Sequence, residues 1–324
     1  MIVASSTGVR AWAYTVLLTA GGAAAAADPH FARPVAQIEQ ELAAPSMQVV
    51  ATTLSRPRAA GDATLRAEVS FGDAPAYRVK LRVALPRADA FNNSPRYDRA
   101  AYELQKAFLD PAEYVVPPTA LRMVPLAQLQ PHVPAARATF PGSDDVLVVV
   151  QYWLQDVTVT RDAYDAARFA ADPVYARRIG QLNIFTYLIR HNDSNLGNFL
   201  VPRESPDYRV FSVDNNVAFG RAESDCGVLW RDLRVARLPA DAVERLRRLD
   251  QAQLGSRLAV LAQWELRDGH YLPVPPGPNL AAGRGVRVGD GVVQMGLTAF
   301  EIERAWSRTR HLLRKVDRGE ISTF

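Results

Sequence analysis

The chain has 324 residues, 48% of them hydrophobic and 22% charged, which is the balance of a folded globular protein with a sizeable core. Its net charge is +4 and its pI about 9.3, but the basic residues are spread along the sequence, which gives no support to nucleic-acid binding. Of 38 Lys+Arg only Lys80, Lys106 and Lys315 are lysine, so a lysine in a chemically suggestive place stands out against an arginine background.

At the N-terminus, Arg10 is followed by the apolar, small-residue run AWAYTVLLTAGGAAAAA (11–27), and Ala25-Ala26-Ala27 before Asp28 fits an A-x-A cleavage site. The pattern predicts a secretory signal over 1–27, cleaved after Ala27, and hence an exported protein, periplasmic or secreted. The alternative is an uncleaved anchor, the one way this chain would be held at a membrane. Cys226 is the sole cysteine, so no intramolecular disulfide can form, and it reads as a packing residue.

From Asp28 onward, PVAQIEQELAAP predicts a short helix, and TLRAEVSF (64–71) and AYRVKLRVAL (76–85) predict strands joined by a tight turn at Gly72-Asp73. NNSPRYDRAAYELQKAFL (92–109) spaces Tyr97, Ala101, Leu104 and Phe108 along one helical face. VVPPTALRMVPL and DDVLVVVQYWL read as further strands, the second too continuously apolar to be exposed on both faces. Beyond about residue 157 the pattern turns helical, in RDAYDAARFAAD, DPVYARRIGQLNIFTYLIRH, ADAVERLRRLDQAQLGSRLAVLAQWEL and TAFEIERAWSRTRHLLRKV. The Pro- and Gly-rich stretch 273–297 reads as an irregular insertion with a hairpin at 289–291, and its glycines do not form a phosphate loop. The expected organisation is a strand-rich first half with one helix and a helix-rich second half.

RHNDSNLGNFLV (190–201) carries the chemistry. His191, Asp193 and Asn198 satisfy H-x-D-x-x-x-x-N, and sixteen residues after Asn198 the run VFSVDNNVAFG places Asp214 at the end of an apolar strand. Phosphoryl transfer requires a carboxylate near the acceptor hydroxyl and hard oxygen ligands for Mg²⁺ or Mn²⁺. Asp193 fits the first requirement, and Asn198 and Asp214 the second; the plain alternative is that all three cap helices and turns. Lys80, mid-strand in YRVKLRV, suits a lysine that grips phosphates, although an amphipathic strand also places surface lysines there. An acid on the following helix would orient it, and Asp98 and Glu103 compete for that role from different faces. Gln151, Tyr152 and Trp153 would border an adenine ring.

Taken together these segments resemble the atypical protein-kinase-like superfamily, closest in pattern to the secretory-pathway kinases related to the Golgi casein kinase and to bacterial phosphatidylinositol 3- and 4-kinase-like proteins. YDRAAYELQKAFLDPAEYVVPPTALR is similar to the stretch in which an acid-bearing helix runs into a Val-Pro-Pro turn. DSNLGN resembles the lipid-kinase loop, and VDNNVAFG the variants with Asp-Asn in place of Asp-Phe-Gly. The resemblance covers about 64–220. It implies an α+β, two-lobed kinase-like fold, with an N-lobe at 28–157 and a helical C-lobe at 158–324, ATP or another nucleoside triphosphate with Mg or Mn as cofactors, and a protein or lipid hydroxyl as acceptor. It also favours Asp98 over Glu103. No G-x-G-x-x-G precedes Lys80, so phosphate cover would come from another turn, near Gly72. Asn192 stands where the pattern has Arg, which argues against control by a phosphorylated activation loop. Two other functions fit: a small-molecule kinase, since aminoglycoside phosphotransferases share the Asp-x-x-x-Gly-Asn loop, and an inactive kinase-fold binding protein of the cell envelope.

Overall fold

The computed structural model describes residues 28–55, 64–84, 88–89, 93–160, 164–204, 208–220 and 227–324. The expected signal segment 1–27 and Cys226 lie outside the described residues. The protein is of the α+β class, with antiparallel sheets and eight α-helices among the described residues. No helix among them is long and apolar enough to cross a membrane.

The first half is built on one five-stranded antiparallel sheet. Helix α1 (Val35–Ala43) leads into β1 (Met47–Leu54), β2 (Thr64–Phe71) and β3 (Ala74–Val83); then come helix α2 (Pro95–Gln105), β4 (Thr119–Pro125), the single turn α3 (Leu126–Leu129) and β5 (Asp145–Tyr152). The strand order is β1-β2-β3-β5-β4. Gly72 makes the β2–β3 turn at φ +61°, a conformation open to glycine at little cost. Strand β1 has no counterpart in the sequence reading, because MQVVATTL leaves most of its side chains at least partly exposed and shows no apolar alternation. Strand β5 is buried along its whole length, as its unbroken apolar run requires.

Period-2 alternation gives the sheet two different faces. Leu65, Val69, Val79, Leu81, Val148 and Val150 form one, which packs with Ile38 and Leu42 of α1. On the other, the register lines up Arg66, Lys80, Gln151 and Thr119 as one row across four strands. Helix α2 packs over the β4–β5 part of this second face.

The second half contains β6 (Val157–Val159), α4 (Ala166–Ala171), α5 (Pro173–Ile189), β7 (Phe199–Pro202), β8 (Phe211–Ser212), β9 (Arg237–Leu238), α6 (Ala240–Arg247) and α7 (Gln251–Leu258). Next come β10 (Ala262–Arg267), β11 (His270–Val274), β12 (Val286–Gly289), β13 (Val292–Met295), α8 (Ala299–Asp317) and β14 (Ser322–Thr323). Here two expectations are corrected. The segment LAQWEL is not the end of a helix, and 273–297 is irregular only over 275–285: Ala262–Arg267 and the strands at both ends of 273–297 form a four-stranded sheet of order β11-β10-β13-β12. Asp250 caps α7 afresh, α7 stops at Leu258, and Trp264 then joins Tyr271, Val293 and Met295 against Leu121, Leu147 and Val149 of the first sheet. Residues 158–324 are thus not helical throughout, and part of them covers the first-half sheet. The 289–291 hairpin is present, with Gly289 opposite Val292.

Helix α2 is fixed at its N-terminal end by charge. The Arg96 guanidinium donates to both carboxylate oxygens of Glu301 on α8, at 2.6 and 3.0 Å, and the Tyr97 hydroxyl donates to the same group. Burial pushes the Glu301 carboxyl up, but the hydrogen bonds and charge of Arg96 outweigh it and hold the group below the usual carboxylate range. A depressed carboxylate stabilises the fold above its unfolded pKa and loses that contribution as pH falls through the folded one. Glu301→Gln is expected to cost roughly 3 kcal/mol at neutral pH, because it removes the carboxylate that both Nη atoms of the buried Arg96 engage and leaves Asp89, at Nε, as its only carboxylate partner among the described residues. In urea unfolding, the gap between wild type and variant should be full above pH 4.5 and shrink on further acidification; a gap independent of pH would place the loss elsewhere.

Candidate functional site

Because side chains on β3 alternate, Lys80 and Arg82 lie on the same face of the sheet, the face that α2 partly covers. The two cations have different partners. Arg82, 2% exposed, donates through Nη2 to the Asp98 carboxylate on α2 and through Nη1 to Asp214 Oδ1 at 3.1 Å, across 132 residues of sequence. Lys80 Nζ, on the more open side, meets the same Asp214 Oδ1 at 3.1 Å. Of the two acids considered on α2, Asp98 faces this site, but the cation against it is Arg82 rather than the expected Lys80. Glu103 turns away, pairing with Arg99 at 2.6 Å and Lys106 at 3.0 Å.

Helix α5 ends at Arg190, which takes the left-handed conformation (φ 48°) and turns the chain into the loop. His191 follows, fully buried and edge-on to Phe199 at 5.9 Å between ring centroids. Neither of its ring nitrogens has a hydrogen-bond partner among the described residues. Burial pushes the imidazole down to about 4 against the opposing pull of Asp193 and Asp214, so His191 is neutral at neutral pH and acts as a packing element. Asn192 Nδ2 donates to the Gly220 carbonyl at 3.0 Å, tying this loop to the end of the Asp214 segment. The Asp193 carboxylate accepts from Asn195 Nδ2 at 2.8 Å through one oxygen and from Asn198 Nδ2 at 3.0 Å through the other.

Asn198 directly precedes β7 and Asp214 follows β8 by one residue, and these two strands pair antiparallel. The Val213 amide donates to the Asn198 carbonyl at 2.9 Å, which sets the two expected ligands side by side. Asp214 adopts the left-handed region (φ 60°, ψ 49°), a conformation that Asp tolerates better than most residues. Asn216 Nδ2 donates to Asp214 Oδ1 at 2.5 Å, while its own Oδ1 is buried without a hydrogen-bond partner among the described residues.

A cleft of about 980 Å³ lies over this arrangement. Lys80, Gln151, Tyr152, Trp153, Asn198 and Asp214 all line it. Gln151 is held in the row by a 2.9 Å hydrogen bond to Thr119 Oγ1. Trp153 stacks beneath the Arg66 guanidinium at 4.6 Å. Tyr152 differs: its ring is packed with Phe31 and Tyr77, its hydroxyl accepts from the Ala32 amide at 2.7 Å, and burial raises its pKa, so the side chain serves the core. Gly72 is not among the lining residues, whereas Arg66, Glu68 and Arg78 of the β2–β3 hairpin are. Asp193 and Asp98 do not line the cleft either; Asp193 touches it through Asn198, and Asp98 sits behind Arg82.

Set against known proteins, the chain matches no family model and no curated protein.

The sequence reading missed Arg82, Arg66, Asn195 and Asn216. Arg82 was within reach of it, since a residue two positions from Lys80 on a strand must share its face; in an arginine-rich chain it did not stand out. Its importance is open to measurement. Arg82→Met leaves Asp98 buried without its cation and should cost roughly 3–5 kcal/mol in urea unfolding. Lys80→Met, at a site 17% exposed, should cost about 1 kcal/mol or less. The reverse order would make Lys80 the structural cation.

Proposed function

We propose that the protein is an exported, kinase-like phosphotransferase of two-lobed build, with 28–157 and 158–324 facing each other across the cleft. Its reaction would move the γ-phosphate of ATP, or another nucleoside triphosphate, to a hydroxyl of a protein or lipid. One observation carries this reading: Lys80 from the middle of β3 and Asp214 from the end of β8 meet at 3.1 Å in a cleft that also holds Asn198 and the segment 151–157. A turn or cap role for Asp214 gives no reason for two strand cations to converge on it.

Each residue then has a task. Lys80 would engage phosphate oxygens, and Gln151 and Trp153 would border the base. Asp193, whose oxygens are steadied by Asn195 and Asn198, would accept the proton of the attacking hydroxyl. The donors are all hard oxygens, which suits Mg²⁺ or Mn²⁺, and Asn198 and Asp214 would hold the ion. Bound there, it would supply charge neutralisation to the phosphates. Among the described residues no group of three or more His, Cys, Asp or Glu could hold a metal by itself, so such an ion would complete its shell with phosphate oxygens and water.

A second reading, a nucleotide-binding protein of the same build that does not transfer phosphate, is favoured by the commitment of Asp214 Oδ1 to Lys80, Arg82 and Asn216 before any cation arrives. Thermal-shift titration separates the two when followed by an assay of phosphate transfer. Wild type should gain melting temperature from ATP with Mn²⁺ and not from either alone, and Asp214→Asn should lose that gain. Asp193→Asn should keep it while transfer falls by about 10²–10⁴-fold. Metal-dependent binding with no transfer by wild type supports the second reading. No metal-dependent shift with any nucleotide would sink both.

A further inference from the structure

A second cavity, of about 390 Å³, lies on the far side of the loop that begins at Arg190. Helix α8 supplies most of its wall. Arg304, Ser307, Arg308, His311 and Arg314 recur at i, i+3, i+4, i+7 and i+10, one face of a helix whose other face buries Ile302, Ala305 and Leu312 in the core. Tyr187, Arg190, Arg231 and Asp232 complete the wall among the described residues.

Physical cost marks this cluster as more than a solvated face. Arg304 and Arg308 stand at i, i+4, where like charges repel. Arg308 Nε donates to the Leu188 carbonyl at 2.8 Å, but its Nη2 is buried without a hydrogen-bond partner among the described residues. Burial, reinforced by the charges of Arg190 and Arg304, pushes this guanidinium down to about 10. Arg304 and Arg314 form no ion pair among the described residues. Arg304, Arg308 and Arg314 thus line one concave site with no carboxylate paired to any of them among the described residues, and the guanidinium fork matches the oxygens of phosphate.

We infer that this cavity is a binding site for a small phosphate-bearing anion, distinct from the cleft and independent of the kinase reading. Its volume falls within the range of small-molecule sites and suits a phosphomonoester or diphosphate group, whether free or as a lipid headgroup. Arg308, half-buried with its Nη2 enclosed, would hold the anion at the floor, and Arg304 and Arg314 would close over it from the exposed rim.

Calorimetric titration of the protein with inorganic phosphate and pyrophosphate tests the site, beside Lys80→Ala and an Arg304→Glu/Arg314→Glu double variant. Both reversed arginines are exposed, so the double variant should fold, and its melting curve checks this. Saturable pyrophosphate binding that survives Lys80→Ala and weakens at least about tenfold in the double variant is the expected result. Co-sedimentation with phosphatidylcholine vesicles, with and without phosphatidic acid, separates the sources. Retention on phosphatidic acid that the double variant loses points to a headgroup, and pyrophosphate binding alone points to a soluble ligand. The inference is overturned if neither probe binds saturably, if the double variant binds as wild type does, or if only Lys80→Ala loses binding.

Discussion

A guanidinium as enclosed as that of Arg82 loses its water, at a cost of several kcal/mol unless carboxylates and hydrogen bonds replace it. The replacements come from two places far apart in the chain: Asp98 on α2 and Asp214 after β8. Satisfying one side chain therefore ties the sheet, the helix over it and the loop below it to one another. Removing Arg82 leaves Asp98 buried without the cation shown against it, whereas Asp214, at the cleft, keeps its contact with Lys80. Such networks are weak as sources of net stability but strong as determinants of geometry, because alternatives that separate the charges are penalised.

That constraint also explains how labour divides between neighbouring cations. Arginine keeps its charge at any accessible pH and offers several donors in a planar fork, which lets Arg82 bridge two carboxylates at once. Lysine carries a compact charge on a flexible stem, and Lys80, on the open side of the row, meets only the outer member of the network that is described. The arrangement departs from the resembling families, in which the implied partner of the lysine is the helix acid. Here the helix acid is Asp, shorter by one methylene than Glu, and it meets a longer cation.

What the sequence disclosed, it disclosed through local period. The β2–β3 hairpin follows from alternation around Gly72-Asp73, and the burial of β5 from its unbroken apolar run. Asn198 and Asp214 flank the paired strands β7 and β8, which sets them side by side. Interactions between distant segments leave no such trace. The Arg82–Asp214 contact spans 132 residues, and nothing in the spacing of either residue announces it. Strand β10 was hidden differently: the helical run before it ends at Leu258 without Pro or Gly to mark the stop, and tertiary packing of Trp264 decides the rest.

The loop from Arg190 to Asn198 stands between two regions of opposite character, and a single backbone feature permits it. Helix α5 cannot continue past Ile189 and still deliver Asp193 toward the cleft, so Arg190 takes the left-handed conformation and reverses the chain at a local cost of order 1 kcal/mol. Its amide closes the helix by donating to the Thr186 and Tyr187 carbonyls. The reversal leaves the Arg190 side chain on the α5–α8 side, lining the basic cavity, while the next residues cross to the Asp214 side. Asn192 joins the halves, its Oδ1 accepting from Arg190 Nε at 3.2 Å and its Nδ2 donating to Gly220 at 3.0 Å. A buried amide with a donor and an acceptor can serve both neighbours at once, which an arginine at this position, having only donors, could not do.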